Sequence, residues 1–192
     1  MKYLKKYEHF DDEKLILKQG FTQLMENTHL VEEQVNDNLD QFLDELDIEK
    51  FNHLFRITKF LGAGTFGAVF QMENGKILKI TFDYLEAPFL YEYCKLQNID
   101  GFVKVDDVFK INFGETFAYI IVRDPVQTNL NYREYSEEIQ HAKDAMYKIS
   151  TSWRGTHPEN FGLQNGKVVL YDGFCKKVKV DETKIPFLKL KK

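Results

Sequence analysis

Three glycines at fixed spacing are the first residues in the sequence that could support chemistry. The stretch from Gly62 to Gly67 reads Gly-Ala-Gly-Thr-Phe-Gly, the pattern GxGxxG. Glycines at this spacing let backbone amides approach phosphate groups closely. The pattern alone is ambiguous, because dinucleotide-binding sheets use it as well as loops that cover the phosphates of a nucleotide.

The residues after the loop separate these two uses. A dinucleotide-binding loop opens a helix whose N-terminus faces the pyrophosphate. Here the loop is followed by an alternating stretch, Ala68 to Met72, and then by Asn74-Gly75, which is typical of a two-residue hairpin turn. The sequence therefore predicts a β-turn-β flap over phosphates. A dinucleotide-binding oxidoreductase is the competing interpretation.

A lysine in the next predicted strand could add positive charge to the same phosphates. Lys79 lies in the stretch Ile77-Leu78-Lys79. Such a lysine needs an anion to hold it, and the helix predicted after this strand offers Glu92, with Glu86 as the second choice. Taken singly, Lys79 could be a surface lysine and Glu92 a solvated helix position.

Two short segments near the C-terminus extend this pattern. Residues 153–160 read Trp-Arg-Gly-Thr-His-Pro-Glu-Asn, and residues 171–174 read Tyr-Asp-Gly-Phe. The first resembles the kinase catalytic loop H-R-D-L-K-P-E-N, and the second resembles the D-F-G metal motif with its last two residues exchanged. With the glycine loop and Val69, which matches the form GxGxxGxV, the chain resembles a protein kinase-like domain from about Thr58 to Phe174.

That resemblance implies ATP and Mg²⁺ as ligands. Asn160 and Asp172 would bind the metal, since both supply the hard oxygen ligands that Mg²⁺ prefers. His157 stands where protein kinases carry lysine and many small-molecule kinases carry histidine. The implied catalytic residues are Lys79, Glu92, His157, Asn160 and Asp172, and the implied nucleotide-binding residues are Gly62, Gly64, Thr65, Gly67, Val69 and Lys79.

The chain departs from the kinase pattern in two places. The aspartate expected to take the proton of the substrate hydroxyl is replaced by Gly155, and His157 or Glu159 is left as a substitute. After Phe174 there is no A-P-E motif and there are no helices that would form a peptide-docking platform. A reduced C-lobe is therefore expected, as in small phage and bacterial kinase-like proteins.

The elements that must position these residues predict an α+β fold. Five strands are expected, with a helix over 84–97 inserted after the third. A further helix follows, with residues at helical spacing forming one apolar stripe from Tyr135 to Ile149. A hairpin through Asn165-Gly166 comes after it. In kinase terms this is a five-stranded antiparallel N-lobe and a reduced C-lobe. The predicted domains are a helical extension over 1–55, an N-lobe over 56–124 and a C-lobe over 125–192.

The N-terminal extension is predicted to be helical. The apolar residues from Val31 to Leu46 follow a helical period with an acidic opposite face, and the stretch from Leu15 to Leu24 has a weaker pattern interrupted by Gly20. Two interpretations remain open: the extension packs on the main domain, or its acidic face docks a partner.

Composition bounds the class of protein. The 192 residues are 43% hydrophobic and 15% aromatic, which argues against disorder, and a net charge of −4 argues against a nucleic-acid binder. No run is long and apolar enough for a membrane span. The two cysteines and scattered histidines predict neither a disulfide framework nor a zinc site, and a cytoplasmic location is expected.

Three functions are consistent with this sequence. The first is a minimal ATP–Mg²⁺ phosphotransferase acting on a protein Ser or Thr hydroxyl, or on itself. The second is a catalytically inactive pseudokinase that binds or inhibits a protein partner. The third is a kinase-like enzyme that transfers AMP instead of phosphate.

Overall fold

The computed structural model describes residues 4–27, 45–64, 66–113, 116–150, 152–175 and 180–190. The helices in chain order are α1 (Leu4–Asn27), α2 (Ile48–Phe55), α3 (Glu86–Phe89) and α4 (Ser136–Ile149). The strands are β1 (Ile57–Ala63), β2 (Gly67–Met72), β3 (Ile77–Thr81), β4 (Val105–Phe113), β5 (Thr116–Arg123), β6 (Trp153–Arg154), β7 (Phe161–Gln164), β8 (Lys167–Leu170), β9 (Phe174–Cys175) and β10 (Phe187–Leu188). The α+β prediction is confirmed.

The chain forms two compact units. The first comprises Met1–Asp83, Phe109–Ile121 and Pro186–Lys192, and the second comprises Tyr84–Val108 and Val122–Ile185. The domain boundaries predicted at residues 55/56 and 124/125 stay a prediction. No helix in the described ranges combines the length and apolar character needed to cross a membrane.

The main sheet has one strand more than predicted. Its strand order is β1-β2-β3-β5-β4-β10, so this sheet has six strands in the described chain where five were expected. The added strand β10 runs parallel to β4, with Phe187 opposite Lys110. A strand of two residues has no alternation to detect, which is why the sequence pattern missed it.

The turn between β2 and β3 also differs from the prediction. Of its residues only Gly75 has a positive φ, at 80°, whereas a two-residue turn of the expected type needs positive φ at both central positions. The Met72 amide donates to the Lys76 carbonyl and the Gly75 amide donates to the Met72 carbonyl, both at 2.9 Å or less. The loop therefore contains three residues, 73–75, with glycine in the left-handed position.

Helix α1 covers one side of β1 and β2. Leu17, Phe21 and Leu24 are buried. The helix runs through Gly20, the residue that interrupts the apolar pattern, and a Cβ added there would lie 2.5 Å from Cζ of Phe70. The missing side chain makes room for the sheet. The predicted helical stripe from Val31 lies outside the described residues except for its last member, the buried Leu46.

In the second unit, the helix predicted after β3 forms with a change of type. Helix α3 continues as a π-helix over Leu90–Leu96. The predicted α4 is confirmed, as is the hairpin of β7 and β8, whose turn residues Asn165 and Gly166 have φ of 53° and 76°. Both positive angles match the turn that an Asn-Gly pair favours.

A buried glutamine connects three segments of the second unit. The Gln164 side chain is only 4% exposed. Its Oε1 accepts from the Lys104 amide at 2.7 Å, and its Nε2 donates to the carbonyls of Lys104 and Asp124 at 3.5 and 3.4 Å. One side chain thus holds the backbone before β4 and the backbone after β5.

Gln164→Leu is expected to lower the free energy of unfolding by about 2 kcal/mol, because it leaves buried backbone groups without their partner. Chemical denaturation measures this loss. Gln140→Leu is the matched control, since Gln140 is exposed and bonds only to Asp144 on the same helix among the contacts described. Equal stabilities for the two variants would contradict the assigned role of Gln164.

Candidate functional site

The glycine loop lies in the first unit, between two paired strands. Strands β1 and β2 are antiparallel, with Ala63 opposite Ala68 next to the loop. The Gly64 amide donates to the Gly67 carbonyl at 2.9 Å, which closes the turn. The predicted β-turn-β arrangement is therefore confirmed, and no helix follows the glycines as a dinucleotide-binding loop would require. Thr65 lies outside the described residues.

Gly67 and Lys79 lie next to each other. In the pairing of β2 and β3, Val69 is opposite Lys79 and Gly67 is opposite Thr81. A Cβ added at Gly67 would lie 3.2 Å from Cε of Lys79 and 2.7 Å from the Ile80 carbonyl oxygen. The lysine chain therefore passes over the glycine, and any side chain at residue 67 would displace it.

The other two glycines have open space in front of them. A Cβ added at Gly62 or Gly64 would meet no heavy atom of the described chain within 4 Å. Gly64 also has no positive φ, so its backbone does not itself demand glycine. The absence of side chains here leaves open space beside the loop backbone, which is a property that a phosphate-binding loop needs.

The two acidic candidates on the inserted helix lie in the second unit. Glu92 accepts a hydrogen bond from Nε2 of Gln97 at 3.0 Å, since a π-helix places residues five apart on one face. Glu86, the second choice, is 4% exposed. Burying a carboxylate to this degree costs free energy unless neighbouring groups compensate its charge. Of the two candidates, Glu86 is therefore the one whose charge needs such compensation. The pairing of either with Lys79 stays a prediction.

The two C-terminal motif segments lie side by side within the second unit. Strands β6 and β9 are antiparallel, with Arg154 opposite Phe174. Nδ2 of Asn160 donates to the Gly155 carbonyl at 3.0 Å, and the Asn160 carbonyl accepts from the Tyr171 amide at 2.9 Å. The resemblance implies that Asn160 and Asp172 share one site, and the structure holds their segments together through these bonds.

The residue that replaces the expected aspartate is tightly enclosed. Gly155 has a φ of 78°, and a Cβ added there would lie 2.4 Å from the Asp172 carbonyl oxygen and 2.9 Å from Cα of Gly173. A Cβ added at Gly173 would lie 2.7 Å from the Arg154 carbonyl oxygen and 3.2 Å from that of Gly155. The backbones approach so closely because both positions are glycine.

The substitute bases lie on the surface. His157 and Glu159 are exposed. The His157 carbonyl accepts from the Asn160 amide, and the Glu159 carbonyl accepts from the Tyr171 hydroxyl at 2.8 Å. These bonds fix the backbone of both residues and leave their ionisable groups outside the contacts described.

The sequence pattern missed a half-buried arginine at the end of β5. Burial lowers the pKa of Arg123, while Glu86, Asp172 and Tyr171 act in the opposite direction. Its guanidinium lies 5.7 Å from the centre of the Tyr171 ring. Burial and the charge of Asp172 raise the pKa of the Tyr171 hydroxyl, so it stays protonated at neutral pH. The signal available in the sequence was the charge of Arg123, which follows directly after the apolar run 117–122.

The donor set of the second unit fits Mg²⁺. Because Nδ2 of Asn160 is engaged by Gly155, Oδ1 is the atom with which this amide would bind a metal, in a segment bonded through the Asn160 carbonyl to Tyr171, the residue before Asp172. Among the described residues no group of three or more His, Cys, Asp or Glu side chains could hold a metal ion. Two oxygen ligands completed by phosphate oxygens and water are the arrangement that Mg²⁺ accepts.

A comparison with protein-family models gives no match for this chain, and a comparison with curated proteins finds none that is similar to it.

Proposed function

We propose that this chain binds ATP with Mg²⁺ and is a minimal protein kinase-like protein, with a protein as its substrate or partner. The observation that carries this proposal is the glycine hairpin of the first unit, in which the Lys79 side chain passes over Gly67. A lysine side chain beside a glycine turn, with open space in front of Gly62 and Gly64, is a suitable environment for a triphosphate.

The metal ligands that we propose lie in the second unit. Asn160 and Asp172 would hold Mg²⁺, which neutralises charge on phosphate oxygens when it is bound. The hydrogen bond from Asn160 to the Gly155 carbonyl orients the amide before any ligand arrives. Preorganised ligands of this kind lose little entropy on binding.

Phosphate transfer to a hydroxyl needs one more group. The hydroxyl oxygen would bond to the γ-phosphorus, the bond from that phosphorus to the β–γ bridging oxygen would break, and ADP would leave. The hydroxyl proton then needs an acceptor, and Gly155 has none. General-base assistance contributes about 10²–10⁴-fold, so transfer is expected to be slow, with His157 or Glu159 as the remaining acceptors.

A pseudokinase is the second candidate function. The enclosure of Gly155 favours it, because the backbone at residues 155 and 173 leaves no space for a catalytic side chain. In this case ATP would act as a structural ligand, and the protein would act by binding or inhibiting a partner.

Intact-mass measurement after incubation with ATP and Mg²⁺, alone and with protein acceptors, separates the candidates. Addition of phosphate supports the kinase-like enzyme, and addition of AMP supports the alternative transfer reaction. ATP binding with no change in mass of any acceptor supports the pseudokinase. Absence of ATP binding contradicts the proposed function.

Gly64→Ala is expected to weaken ATP binding about tenfold while leaving the melting temperature of the free protein unchanged. The added methyl group meets no described atom of the chain, so it would obstruct only the ligand. Isothermal titration calorimetry measures the affinity, and the melt of the free protein is the control. Unchanged affinity would show that phosphates do not approach this part of the loop.

A further inference from the structure

The glycine loop is attached to the end of β3 through one carbonyl. The Phe66 carbonyl oxygen accepts from the Thr81 hydroxyl at 3.0 Å and from the Phe82 amide at 2.8 Å. Phe66 immediately precedes Gly67, and Thr81 follows Lys79 by two residues. The anchored carbonyl therefore belongs to the loop, and one of its donors belongs to the strand that carries the lysine.

The Thr81 hydroxyl is fixed as well as buried. Its oxygen accepts from the Asp83 amide at 3.1 Å while it donates to Phe66, and Thr81 is 0% exposed. A buried hydroxyl with both a donor and an acceptor as partners is held in one orientation. The strand pairing alone would accept valine at this position equally well, because valine has the same shape and a high strand preference.

We propose that Thr81 is a positioning residue that ties Phe66 and Gly67 of the glycine loop to the strand of Lys79, so that this part of the loop is already ordered before a nucleotide binds. This inference rests on the proposed ATP-binding function. Without the hydroxyl, the loop would keep the bond from Phe82 and lose the bond from Thr81, and its ordering would have to accompany nucleotide binding. Affinity falls when ordering occurs during binding.

The test compares Thr81→Val with Thr81→Ser. Thr81→Val is expected to weaken ATP binding about tenfold in the presence of Mg²⁺, and Thr81→Ser is expected to restore it. The control is Thr58→Val, since the Thr58 hydroxyl donates to the Gln71 carbonyl across β1 and β2, away from the loop. Amide hydrogen exchange of the free proteins supplies a measurement that does not depend on nucleotide.

Faster exchange at the Gly67 and Phe82 amides in Thr81→Val, but not in Thr58→Val, would support the anchoring role. Unchanged exchange at both amides would overturn it whether or not ATP binds. If wild type binds ATP and Thr81→Val binds it equally well, or if Thr81→Ser does not restore affinity, the positioning role is overturned while the proposed function stands. If wild type binds no ATP, the proposed function and the positioning role fail together.

Discussion

Gly155→Asp is expected to destabilise the protein instead of making it an active kinase. The substitution would place a carboxylate at the sequence position where a kinase catalytic loop has one. At Gly155, however, an added Cβ would lie 2.4 Å from a backbone oxygen, at a φ of 78°. We expect a loss of about 3 kcal/mol, of which roughly 1 kcal/mol comes from the left-handed backbone and about 2 kcal/mol from overpacking.

Thermal melting measures this loss, which corresponds to a decrease of roughly 6–12 °C for a chain of this size. Gly166→Asp is a matched control, because Gly166 has nearly the same φ, 76°, and an added Cβ there would meet nothing within 4 Å in the described chain. The control should lose only the backbone part, roughly 2–4 °C. Equal losses in the two variants would show that residue 155 is not crowded.

The same geometry connects the two motif departures at the C-terminal site. In the resemblance to a kinase, Gly155 stands at the position of the catalytic aspartate, and Gly173 stands where the metal motif carries phenylalanine. Each glycine occupies space that a side chain at the other would need. Phe174, displaced by one position along the chain, is buried in β9 opposite Arg154. Gly155→Asp alone therefore leaves the other departure, Gly173 followed by Phe174, unchanged.

Lys79→Met is expected to have the largest effect on ligand binding, a loss of ATP affinity of about 30-fold. The physical reason is the removal of about 2 kcal/mol from a charge-assisted contact with phosphate, while methionine keeps most of the apolar chain that passes over Gly67. Isothermal titration calorimetry with ATP and Mg²⁺ gives the affinity.

The matched control is Lys59→Met, which removes an exposed lysine from strand β1, separated from the strand of Lys79 by β2. It should bind ATP as wild type does, because general charge at this distance is screened by salt. Equal losses of ATP affinity in the two variants would show that Lys79 contributes no more than any other surface lysine.

The sequence predicted those parts of the fold that local patterns determine. Asn165-Gly166 gave the hairpin because its residues accept positive φ, and the alternation around the glycine loop gave β2 and excluded a following helix. The glycine loop and Lys79 were predicted from residue types and spacing, and the contact of Gly67 with Lys79 agrees with that spacing. His157, Asn160 and Asp172 were implied by the resemblance to kinase motifs.

The missed features depend on contacts between residues distant in sequence. Gly20 interrupts the apolar pattern of its helix, and the residue that requires a glycine there, Phe70, lies on the sheet. The short parallel strand β10 exists only because β4 provides an edge for it. The enclosure of Gly155 depends on Gly173, and the environment of Arg123 depends on Glu86 and Asp172. No local period or turn signal records such pairs.

Titration of the wild-type protein with ATP, in the presence and absence of Mg²⁺, tests the central claim most directly. ATP should bind in both conditions, since the glycine loop and Lys79 need no metal, and Mg²⁺ should strengthen binding about tenfold or more, with that gain lost in Asp172→Asn. No detectable heat or melting shift at millimolar ATP with Mg²⁺ would contradict the proposal that this chain binds the nucleotide.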